Sequence, residues 1–70
     1  MKFYRVAIAK EYGSLILEYT YQTLEDAMKS FEKYKDFYFR ALVEIDYSRK
    51  KPVHKLLEKY IDGKLFVKNN

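Results

Sequence analysis

Apolar and polar positions alternate twice near the start of the chain and then change period. In KFYRVAIAK, residues 2–10, Tyr4, Val6 and Ile8 fall on one side and Phe3, Arg5, Ala7 and Ala9 on the other, the two-residue period of a strand. EYGS at 11–14 reads as a turn, with Gly13 free to take a positive φ. LILEYTY at 15–21 alternates again, with Leu15, Leu17, Tyr19 and Tyr21 on one face and Ile16, Glu18 and Thr20 on the other. The two runs predict an antiparallel hairpin.

From residue 23 the period becomes helical. Thr23 is placed to cap a helix, and Glu25 and Asp26 lie in the first turn, where the helix dipole favours negative charge. Leu24, Ala27, Met28, Phe31 and Tyr34 then form one apolar stripe, opposite Lys29, Glu32, Lys33 and Lys35. FYFRALVEIDY, residues 37–47, returns to strand character: Phe39, Ala41, Val43 and Ile45 alternate with Tyr38, Arg40, Leu42 and Glu44.

The last third admits two readings. Val53, Leu56, Leu57 and Tyr60 have helical spacing, Pro52 suits a first helical position, and Gly63 suits a stop, which predicts a helix over 52–61 followed by a strand KLFVK. The rival makes 53–61 a strand, with Asp62-Gly63 turning tightly into 64–68. The spacing and the Lys, Leu and Glu content favour the helix. The terminal Asn69 and Asn70 are expected to fray.

The expected fold is a single α+β domain over 1–70. It has an antiparallel sheet in β-β-α-β order, one helix packed on a face, then the short helix or hairpin and a last strand. The long helix is expected to cover Tyr4, Val6, Ile8, Leu15, Leu17, Val43 and Ile45. The other face would then carry Phe3, Arg5, Ala7, Ile16, Glu18, Tyr38, Arg40 and Leu42. That face is too apolar for plain solvent and too charged for a core. A second helix could cover it. A partner or a second copy could dock on it. Its aromatics and arginines could also stack single-stranded bases. Phe3, Arg5, Ile16, Tyr38, Arg40 and Leu42 are the candidate partner-binding residues.

Composition narrows the choices. A chain of 70 residues buries only about 60% of its unfolded surface, so a supplement to the core is expected. With no cysteine and one histidine, neither disulfides nor a structural zinc can supply it. Eight tyrosines and five phenylalanines offer an aromatic core instead. The start of the chain does not read as a secretory signal, and no run approaches a membrane span, so a cytoplasmic protein with no membrane partner is expected, in the host cell if viral. Net charge is +4. Residues 48–70 hold seven Lys/Arg against two Asp/Glu, so the basic character lies in that third.

Candidate chemistry is sparse. His54 stands alone with no orienting partner. Ser14 and Ser30 have no histidine at a nucleophile spacing, and Glu25 and Asp26 are explained by the helix dipole. Two glycines build no phosphate loop, and the acids are too scattered for an oxygen-ligated metal. No catalytic residue, metal or cofactor is assigned. The remaining charge feature is the basic patch Arg49, Lys50, Lys51 and Lys55. It can be a solvated turn, a dock for an acidic protein, or a phosphate contact at the start of a 52–61 helix.

The run YTYQTLEDAMKSFEKYKDFYFRALVEID, residues 19–46, resembles small strand-helix-strand accessory proteins of phages and plasmids from AT-rich hosts. The resemblance implies a protein that acts by binding, in some cases as an inhibitor of a host system, and transfers no functional residue. The sequence is therefore read as a small non-enzymatic binding protein, with a protein partner preferred to nucleic acid and homodimerisation through the open face or a free strand edge. The alternative is a nucleic-acid-binding module using the basic C-terminal third and an open aromatic and arginine sheet face.

Overall fold

A computed structural model describes residues 1–69. Its elements are β1 (Lys2–Ala9), β2 (Leu17–Tyr21), α1 (Leu24–Lys33), β3 (Phe39–Asp46), β4 (Val53–Ile61) and β5 (Lys64–Lys68). The sheet is antiparallel throughout, in the order β2-β1-β3-β4-β5. The chain leaves edge strand β2, crosses over β1 as α1, and comes back as β3 on the far side of β1. The α+β class with one helix on an antiparallel sheet is as expected. The spatial order and the C-terminal third are not.

The helix forms where its signals stand. Thr23 Oγ1 accepts from the Asp26 backbone N–H at 3.1 Å, satisfying one of the orphan donors of the first turn. Ala27 and Phe31 are fully buried against Val6, Ile8, Leu42 and Leu57. The flank over β2 is fixed by polar and aromatic contacts. Tyr21 donates to Ser30 Oγ at 2.7 Å, and Tyr19 stacks on Tyr34 with centroids 6.3 Å apart. The Glu25–Lys29 pair is exposed, so it adds only a few tenths of a kcal/mol.

On β3 the phase is the reverse of the expected one. Val6 pairs with Leu42 and Ile8 with Arg40, so Arg40, Leu42 and Glu44 face the helix, while Ala41, Val43 and Ile45 face away from it. Arg40 and Leu42 therefore leave the candidate partner-binding set, and Val43 and Ile45 leave the helix-covered set. The physical reason is that Arg40 is accommodated in the core. Its guanidinium lies 4.3 Å from the Phe31 ring centre and 4.1 Å from that of Tyr60, and Nη1 donates to the Phe31 carbonyl at 3.1 Å. Leu15 also departs from expectation. It precedes β2 in the 10–16 loop and is 86% exposed.

The 52–61 segment is a strand and not a helix, as the rival reading held. Its helical spacing is the trace of a β-bulge. Leu42 pairs with Glu58 but Val43 with Leu56, so Leu57 is an extra residue and the alternation slips by one. Leu57 thereby reaches the same buried cluster as Phe31, against which Tyr60 also packs. Asp62 and Gly63 both have positive φ, 52° and 76°, the geometry of a two-residue hairpin turn into β5. Asn69 does not fray. Its backbone N–H and its side-chain amide donate to the carbonyls of Leu57 and Leu56, at 2.7 and 2.9 Å. The expectation for Asn70 lies outside the described residues.

Phe31 is central to the helix–sheet contact, so Phe31→Ala should cost about 3–5 kcal/mol. Thermal or urea unfolding checks this. A variant melting within a few degrees of the parent would contradict the packing described.

Candidate docking face

Cross-strand register arranges the side of the sheet away from α1 into rows, because directly paired residues share a face. The first row is Phe3, Ile45 and His54, and the second is Thr20, Arg5, Val43 and Leu56. The third runs Glu18, Ala7, Ala41, Lys59 and Val67, and the fourth Ala9, Phe39, Ile61 and Lys64. The only helix among the described residues lies over β2, β1 and β3 on the opposite side. Among the described residues no other helix or strand lies over this face.

The face is apolar in its middle. Ala9, Ala41 and Ile45 are buried, and Phe3, Val43, Leu56, Ile61 and Val67 are half-buried. Charge stands at its flanks. Arg5 Nη1 and Glu18 Oε2 lie 3.5 Å apart on the β2 side, and Lys59 and Lys64 stand on the β4–β5 side. At one end Ile16, Tyr38, Phe39 and Ile61 wall an open hollow of about 250 Å³. At the other, Phe3 meets Tyr47 edge-on with centroids 5.5 Å apart.

Of the expected partner-binding residues, the structure brings Phe3, Arg5 and Ile16 onto this face and puts Tyr38 at its rim. Arg40 and Leu42 are under the helix. The residues that sequence reasoning missed are Ala7, Ala41 and Lys59 in the third row, with Phe39, Ile45, Leu56 and Ile61 around them. β3 is apolar on both faces, so its hydropathy carries no signal for which side meets the helix. The base-stacking platform is likewise not assembled, because Arg40, one of its two arginines, is held between Phe31 and Tyr60.

The basic patch is split. Arg49, Lys50 and Lys51 are exposed in the β3–β4 loop, while Lys55 lies in β4 and faces the helix side of the sheet. Without a 52–61 helix, the helix-terminus phosphate site does not exist. The loop begins in an Asp46 turn: the Ser48 backbone N–H donates to Asp46 Oδ1 at 2.9 Å. Hydrogen bonds from the Ser48 side chain and backbone hold the Asp46 carboxyl below the usual aspartate range, against a small opposing desolvation.

A larger hollow, about 480 Å³, lies elsewhere, at the strand ends between the 10–12, 35–38 and 62–63 segments. Lys10 and Lys35 face Glu11, Asp36 and Asp62 there, so its charge selects no ligand. His54 is exposed on β4 opposite Ile45. Among the described residues no group of three His, Cys, Asp or Glu side chains is gathered to hold a metal, and no helix is long and apolar enough to cross a membrane. No protein family, curated protein or solved structure matches the chain.

The Asp46 turn should respond to acid. Its lowered pKa means that its contribution is intact above the unfolded-state pKa and is lost as pH falls through the lower folded value. An NMR pH titration should place the Asp46 midpoint below that of an unstructured aspartate, with the Ser48 amide resonance following it. Ser48→Ala should move the midpoint part of the way back up. A midpoint indifferent to Ser48→Ala would refute this account of the turn.

Proposed function

We propose that the protein acts by binding another protein and catalyses no reaction, and that its contact surface is the sheet face away from α1. One observation carries this reading: Phe3, Val43, Leu56 and Ile61 stay partly exposed on the sheet face away from α1, with Arg5, Glu18 and Lys59 beside them, and among the described residues no helix or strand lies over that face. Exposed apolar patches rimmed by polar groups mark interaction sites. The resemblance of residues 19–46 to phage and plasmid accessory proteins favours the same class of action, with a component of the host cell as a target.

The test is protein capture by the tagged chain, from cell lysate and from a second, differently tagged copy, with nuclease present throughout. Ala41→Glu puts a charge at the centre of the face and leaves the helix side untouched. Capture that survives nuclease and is lost in Ala41→Glu, with the melting temperature retained, is the expected result. Capture indifferent to this change, or none at all, would refute the reading.

Nucleic-acid binding has one observation in its favour, the exposed Arg49-Lys50-Lys51 loop. It lacks the stacking platform that the sequence promised. Gel shifts at physiological salt are expected to show no sequence-specific complex. Any non-specific affinity should lose about two to three units of log–log salt slope when the three residues become glutamine. A tight and sequence-selective shift would put this reading first.

A further inference from the structure

We infer that the occupant of the open sheet face is a second copy of the chain, packed sheet on sheet about a two-fold axis that runs along the strands between β1 and β3. The inference rests on the reading of this face as a protein-binding surface and adds the identity of the partner.

The third row is self-complementary about that axis. Across it stand Glu18, Ala7, Ala41 and Lys59, at successive strands β2, β1, β3 and β4. Rotation by 180° about a line between Ala7 and Ala41, parallel to the strands, turns a second sheet face-down onto the first. It exchanges β1 with β3 and β2 with β4. Ala7 of each copy then faces Ala41 of the other, and Glu18 of each faces Lys59 of the other. Every such contact occurs twice, as a two-fold interface requires. A two-fold axis across the strands instead would set Glu18 on Glu18 and Lys59 on Lys59, which like-charge repulsion disfavours.

The electrostatics suit a second copy. Glu18 keeps about half of its side chain exposed while already 3.5 Å from Arg5, so it has an accessible side for a second cation. Lys59 is half-buried on an apolar face, and a lysine in that setting can bury its stem while its ammonium stays accessible. Joining the two puts one ion pair at each side of the dry centre, where charge sets register more than it adds affinity.

The size suits a weak dimer. Under this operation β2, β1, β3 and β4 overlap, while β5 falls outside the partner's β2. Four strands roughly 4.8 Å apart and the rows from Phe3 to Ala9 give a patch on the order of 400 Å² per copy, about 800 Å² for the pair, the size of a transient contact. Aligned sheet packing accommodates the twist, with strands crossing at about −30°.

Sedimentation velocity from low to high micromolar concentration tests the inference on the full chain. The parent should pass from monomer to dimer. Glu18→Lys alone and Lys59→Glu alone should each weaken the dimer about tenfold or more by facing like charges. The double variant Glu18→Lys/Lys59→Glu should recover most of the loss, which neither a general loss of stability nor edge-to-edge pairing would produce. A parent that remains monomeric at high micromolar concentration overturns the inference, and so does a dimer insensitive to the single reversals or not restored by the double one. If the parent is monomeric but still captures another protein in a way that Ala41→Glu abolishes, the face is a docking site for a different protein. If that capture is absent as well, both readings fall.

Discussion

One helix must serve a five-stranded sheet, and it is too narrow to do so. A helix with its side chains is about 10–12 Å across, while strands lie about 4.8 Å apart, so one helix shelters two to three of them. Here α1 lies over β2, β1 and β3. Everything unusual in the molecule follows from that shortfall. β4 is drawn into the core by side chains alone, through Leu57 and through Tyr60 against Phe31 and Arg40. β5, beyond it, keeps Leu65 and Phe66 half exposed or more. On the far side of the sheet no helix lies over the strands among the described residues.

Arg40 shows how a charge can replace a missing layer. Leucine at that position would fill the same space, but it could not reach the Phe31 carbonyl or stack two rings at once. The guanidinium is weakly hydrated and planar, so it tolerates burial between aromatic faces better than an ammonium would. Its Nε has no hydrogen-bond partner among the described residues, which is a cost of this solution. Glu32 at 3.8 Å is largely exposed and offsets little of it.

The parts legible in the sequence were those governed by one local rule. β1, β2 and α1 each carry a single clear period, and Thr23 caps the helix as its residue type predicts. β3 was legible as a strand but not in phase, because a central strand of this sheet is apolar on both sides. The presence of Arg40 made the wrong side look like the solvent side. In β4 the bulge at Leu57 turned a two-residue period into spacings of three and four, which mimic a helix. The docking face inherited both errors. Phe3 and Arg5 fall on the expected face because β1 has the expected phase, and Ile16 reaches it from the loop before β2 and not from the strand expected over 15–21, whereas the third row depends on β3 and β4 together and so could not be assembled from local patterns.

The position of β1 has a consequence for how the chain gets to its final state. β3, β4 and β5 are neighbours in sequence and can pair through short connections, and β1 and β2 likewise. The β1–β3 seam is different: it joins Lys2 to Asp46 and Ala9 to Phe39, across the whole β2–α1 excursion. Closing so long a loop carries an entropy cost before any contact rewards it, and such non-local pairing slows folding. The β1–β2 hairpin and the β3–β4–β5 meander, one at each end of the chain, meet at this single seam, and both flanks of Phe31 are in place only where it is closed. Any opening of the seam would expose unpaired edges on the two central strands, the kind of edge on which chains pair with one another.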